Sequence, residues 1–295
     1  MTDVVLRTLR AMPTAPPDRN DATWRRFTPR WLRAWLLVLG LCGISLLVAQ
    51  LTDNRAIVPT AVFIGAMSGP LAFAIWVADR TRVGRSVAPD VLFITWLVGG
   101  AVAIVFAGIF ESDFIYNPVG WGYLWIGVVE ESAKVIVPLA ICTLVPKYRA
   151  VAPALAFAIV TAGGFAIFES MTYALSALDE SLRAARNVLF ERSIVTAFGH
   201  LPWTGTAVVV AATAWQEAGR VRLTPRALWG LGAAIVLHTT WNIALVGGGW
   251  WNVLVPFIAM ATFLLFRRVI ADVYYDGPSV APAEHSVRHR PSPPA

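Results

Sequence analysis

Six ionisable side chains and one amide stand inside stretches that are otherwise apolar. They are Glu130, Glu131 and Lys134 in "VVEESAKVIVP", Glu169 in "FAIFES", His200 in "FGHLP", and His238 with Asn242 in "LHTTWN". A charge at the centre of a spanning helix costs about 2.5–3.5 kcal/mol on insertion scales, so such residues mark function or face an internal cavity. Carboxylates and imidazoles without sulfur are a zinc donor set, and a catalytic zinc takes three protein ligands and keeps a fourth position open. Glu169, His200 and His238 can supply the three. A further carboxylate, Glu130 or Glu131, would then act as general base toward a metal-activated water, whose pKa the ion lowers to about 7.

Spacing within each motif is compatible with one face of a helix, because residues three or four apart are neighbours. Glu130 and Lys134 form such a pair in the favourable Glu-before-Lys order, while Glu131 points about 100° away around a 3.6-residue turn. One carboxylate is then neutralised by Lys134 and the other faces elsewhere, and periodicity leaves open which does which. His238 and Asn242 also share a face. Pro138 and Pro202 cannot donate to the carbonyls of Lys134 and Phe198 and should kink their helices near the site. Gly163 and Gly164 would permit close helix approach, or serve packing alone.

The elements that carry these residues follow from composition. The chain is 57% hydrophobic and 14% charged over 295 residues, with positive mean hydropathy, which excludes an ordinary soluble domain. Spans of roughly 20 residues fall at about 31–51, 56–78, 90–110, 119–145, 150–178, 193–218, 226–247 and 249–270. An all-α polytopic bundle of about eight spans is expected. The net charge of +6 comes from arginines in alternate loops, including Arg30, Arg80, Arg149 and Arg222, so it reflects positive-inside topology and implies no nucleic acid partner. Both termini are then cytoplasmic. With that topology Glu130, Glu169, His200 and His238 lie at depths of roughly 10–16 Å from the outer ends of their spans, at 1.5 Å rise per residue. They could share one layer.

Residues 1–30 and the Pro-rich 273–295 read as disordered tails around a membrane domain at 31–272. Cys42 and Cys142 lie within spans at no metal-binding spacing and read as packing residues. The segment 179–192, "DESLRAARNVLFER", has balanced charge and fits an interfacial helix lying as a lid over the site, or a solvated connector.

Taken in order, EExxK at 130–134, "GFAIFESMTY" with Phe165 and Glu169 in FxxxE positions, the Gly-His pair ending "ERSIVTAFGH", and HxxxN at 238–242 resemble PrsW-type intramembrane metalloproteases, relatives of the CAAX prenyl proteases and Abi proteins. The resemblance covers about 120–245. It implies a membrane endopeptidase of the bacterial plasma membrane that cuts membrane-linked proteins, anti-sigma factors among the substrates of some members, with a divalent metal, zinc by preference. It also implies Glu130 as general base, with Glu131 and Lys134 shaping the site. Glu169, His200 and His238 become ligands or water-positioning groups, and Asn242 an oxyanion donor or supporting partner. Ser170 departs from the Asn that many members carry there. The competing readings are a proton- or ion-coupled transporter, which also places Glu, His and Lys at mid-membrane, and a pseudoprotease scaffold.

Overall fold

The computed structural model describes residues 28–81, 83–111, 120–246 and 249–275, and among these every regular element is helical. In chain order the α-helices are α1 (Arg30–Thr52), α2 (Val58–Arg80), α3 (Pro89–Glu111), α4 (Trp121–Leu144), α5 (Val151–Leu178), α6 (Leu182–Val195), α7 (His200–Ala218), α8 (Pro225–Val246) and α9 (Leu254–Tyr275). Local chemistry sets their ends. Pro59, Pro89 and Pro225 sit in first turns, where a missing N–H costs nothing. The Ser181 hydroxyl caps α6 by accepting from the Ala184 amide at 3.0 Å. The greater part of both expected tails lies outside the described residues.

Seven runs are long and apolar enough to cross a membrane by length and composition. The 24-residue α4 falls within the range of lengths of these runs and differs from them by its three charges. The polytopic helical bundle expected from composition is therefore the architecture found.

Burial separates centre from rim. In the most apolar stretch of α5, 78% of residues are buried, and the same holds for the run containing α7, against 17% for α1 and 22% for the α9 run. The core of α5 packs on α2, α3, α4, α6 and α7, while α7 also packs on α8 and α9. Outward faces of α1, α3 and α9 carry Leu37, Ile44, Ile94, Val105, Phe257 and Leu264, which suits contact with lipid.

One seam explains a glycine. A Cβ on Gly164 would lie 2.3 Å from the Trp96 carbonyl oxygen, and one on Gly100 would lie 2.6 Å from the Gly164 carbonyl carbon, so α3 and α5 touch backbone to backbone. Gly163 has no such demand, since a Cβ there would come no closer than 3.8 Å to any neighbour.

The sixth span differs from expectation. Instead of running from 193, it begins at His200, after α6, a 3-10 turn at Thr196–Phe198 and Gly199. A continuous helix would require Pro202 to donate to Phe198, which it cannot do, and its ring would strike that turn. The break puts Pro202 in the first turn of α7, so the chain restarts where a kink was expected. Pro138 stays inside α4.

Candidate functional site

Three residues of α4 form the floor of the site. Lys134 is fully buried, and its Nζ lies 2.7 Å from Glu131 Oε1 and 3.2 Å from Glu130 Oε2. The lysine is thus shared between the carboxylates, whereas the helical wheel assigned it to one. Both i,i+3 and i,i+4 positions are neighbours on a helix, and a four-carbon stem reaches between them. The ammonium also lies 4.5 Å from the centroid of the Phe165 ring.

Two imidazoles meet this floor from other helices, His200 at the start of α7 and His238 within α8. His200 Nδ1 is 2.8 Å from Lys134 Nζ. An ammonium only donates, so Nδ1 accepts and Nε2 carries the proton toward Glu169 Oε2 at 2.9 Å. His238 Nδ1 is 2.9 Å from Glu131 Oε1. An ionised carboxylate only accepts, so Nδ1 is protonated there and the Nε2 lone pair faces Glu130 Oε2 at 3.7 Å. Trp203 stacks on His238 at 4.8 Å between ring centroids, and its indole N–H donates to Thr262 Oγ1 at 3.0 Å. Thr204 donates to the other oxygen of Glu131 at 3.3 Å.

The site's third carboxylate is held from α6. Glu169 pairs with Arg192, whose Nε also donates to Ser170 Oγ at 2.8 Å. The serine at the atypical motif position therefore accepts from the same guanidinium that clamps the glutamate. Side-chain exposure rises from 0% at Glu131 and Lys134 through 7% at Glu130, 9% at His200 and 14% at Glu169 to 19% at Arg192. Tyr173, under the Arg192 guanidinium, is 54% exposed. This gradient locates the mouth of the site on the Glu169–Arg192–Tyr173 side.

Every ionisable residue singled out by sequence is thus brought into one cluster of α4, α5, α7 and α8. Asn242 stands one turn beyond His238 on α8, half-buried, and its side chain makes no hydrogen bond among the described residues. Sequence reading did not find Arg192, Trp203, Thr204 or Thr262. Arg192, eight positions before His200, was the one with a signal, a cation at the end of a segment entering an apolar run.

The donors that fit a metal are Glu130, His200 and His238, whose ligand atoms all lie within 4.8 Å of one another. Glu130 Oε2 is 3.8 Å from His200 Nδ1 and 3.7 Å from His238 Nε2. Tetrahedral zinc with bonds of 2.0–2.1 Å spaces its ligand atoms about 3.3 Å apart, and the two edges from Glu130 to the imidazoles stand within about half an ångström of that spacing. The chemistry of the cluster agrees: with neutral imidazoles, Glu130, Glu131 and Glu169 outnumber Lys134 and Arg192, and the Lys134 ammonium shows that this point draws positive charge. The trio differs from the Glu169, His200 and His238 set raised by sequence. Glu169 lies against the opposite nitrogen of His200.

No curated protein and no solved structure matches the chain. A family model described as PrsW family intramembrane metalloprotease matches residues 88–267, well over half of the chain and all of the residues just described. With the buried Glu130, His200 and His238 cluster inside that stretch, the chain belongs to the PrsW family of intramembrane metalloproteases.

Proposed function

We propose that this chain hydrolyses peptide bonds of membrane-associated proteins, with anti-sigma-factor-like regulators as the substrate class, from the bacterial plasma membrane. The protease domain in this reading spans 31–272, its motif core 120–245, with both termini cytoplasmic and the site opening toward the outer half of the bilayer. One observation carries the reading. A carboxylate and two imidazoles from three helices converge on one buried point, each imidazole oriented by a different glutamate.

Glu130, His200 and His238 would hold a divalent metal, zinc by preference. Bound there, it would supply Lewis acidity at neutral pH. The protein's own groups do the rest. Glu130 Oε2 faces the imidazoles, and Oε1, which makes no hydrogen bond among the described residues, is free to take a proton from the attacking water and pass it to the leaving amine. Glu131 keeps the His238 Nε2 lone pair inward, and Glu169 keeps His200 in its tautomer. The unpartnered Asn242 amide supplies an N–H to the oxyanion. A substrate helix must unwind locally before it can be cut, and the polar floor of α4 receives backbone groups that lipid cannot satisfy.

The test is metal content by mass spectrometry on detergent-purified protein. Near-stoichiometric zinc in the wild type, lost in a His200→Ala, His238→Ala double variant, is expected, together with loss of hydrolysis of a co-reconstituted membrane substrate in Glu130→Gln. A folded wild type that stays metal-free after zinc reconstitution sinks the metal reading.

A further inference from the structure

One buried carboxylate near the site takes no part in the reaction above. Glu111, the last residue of α3, is 4% exposed, and its Oε1 has no hydrogen-bond partner among the described residues. The other carboxylates of this region each have a cation: Lys134 serves Glu130 and Glu131, and Arg192 serves Glu169. Among the described residues Glu111 has no ion pair.

Its placement is defined by the face it continues. Glu111 lies one turn beyond Ala107 and two beyond Ala103, on the side of α3 that packs with Val129, Ala133 and Phe165. Val129 and Ala133 adjoin Glu130 and Lys134 in the chain, and Phe165 lies under the Lys134 ammonium. Glu111 is near enough to Glu130, Lys134 and Glu169 for their charges to act on it. It acts in turn on the exposed Tyr173 at the mouth, as do Glu130 and Glu169. The carboxylate therefore stands close both to the reacting groups and to the Tyr173 side of the cluster.

An unpaired carboxylate held away from water is costly, and an alanine or leucine would pack this face without that cost. A peptide N–H cannot offset a full charge there, whereas a cation arriving with substrate pairs with the carboxylate as its proton leaves to water. We propose that Glu111 is a specificity subsite that receives the ammonium or guanidinium of a lysine or arginine carried by the substrate beside the bond to be cut. This inference rests on the protease reading above and names one feature of its substrates.

Binding tests it without requiring hydrolysis. A set of fluorescent single-span peptides, with one lysine stepped through the outer two turns, is compared with its norleucine counterparts on full-length protein in phosphatidylcholine vesicles, by energy transfer. The wild type should bind at least one lysine peptide about tenfold more tightly than its counterpart. In Glu111→Gln that preference should shrink to within about twofold, and the variant should unfold in detergent at the same temperature as the wild type or higher. Equal binding of every pair by the wild type overturns the proposal whether or not the variant folds, and so does a preference that survives in Glu111→Gln. Lysine-selective binding without cleavage upholds the subsite while the protease reading fails, and cleavage without selectivity does the reverse.

Discussion

Glu131 shows how much one side chain organises. Its Oε1 accepts from Lys134 and from His238, its Oε2 accepts from Thr204, and it is fully buried. Removing one partner of such a buried pair leaves the other uncompensated and costs about 3–5 kcal/mol. We therefore expect Glu131→Gln and Lys134→Met each to lower stability on that scale in detergent unfolding. The double variant should cost less than the sum, by a coupling of roughly 0.5–3 kcal/mol. Strictly additive losses would show that the pair does not act as a unit. Because Glu131 orients His238, Glu131→Gln should also weaken zinc binding by about 10–100-fold in an equilibrium titration.

At the level of helices, close approach and interruption position the site. The contact of Gly100 with Gly164 brings α3 against α5, four residues before Phe168 and five before Glu169. An alanine at 164 would meet the backbone oxygen of Trp96, which can yield only if the helices separate. Gly164→Ala is expected to destabilise by about 1–3 kcal/mol. Gly163→Ala, whose methyl would meet its nearest neighbour at an ordinary contact of 3.8 Å, should be neutral or slightly stabilising through helix propensity. Thermal unfolding of the two variants side by side decides, and equal melting temperatures would mean that the seam is looser than described. The break before α7 has a comparable effect, since it places His200 at a helix start, level with the floor of α4.

Over the whole molecule, burial and chemistry coincide at α5 and α7, whereas His238 stands on α8, whose apolar stretch is only 28% buried. Central α5 and α7 supply Glu169 and His200, while α9 packs over α7 and α1 lies further out against α2 and α6. The proposed orientation has a direct readout, because the native Cys42 and Cys142 are both buried and should stay silent to thiol reagents. In intact cells a membrane-impermeant maleimide should label cysteines placed at the exposed Asn54 and Trp250, and spare those at Gly84 and Lys147 until the cells are opened. The opposite pattern would put the mouth of the site on the cytoplasmic side.

The spans, the cluster's membership and the ordered motifs were legible in the sequence for a physical reason: apolar runs of fixed length are forced by the bilayer, and every ionisable group inside one needs an explanation. The depth count for His200 rested on a span from 193, and the break at Gly199 means that its level with the other three is a tertiary fact. Tertiary structure alone decided how the members share their bonds. Periodicity says which residues lie on one face of one helix, but Lys134 meets His200, and Glu131 meets His238, only because α4, α7 and α8 pack together. The same limit hid Arg192 and Glu111. The charge of each was visible in the sequence, but whether it is paired, as Arg192 is with Glu169, or buried without a partner among the described residues, as Glu111 is, depends on residues brought near by the fold.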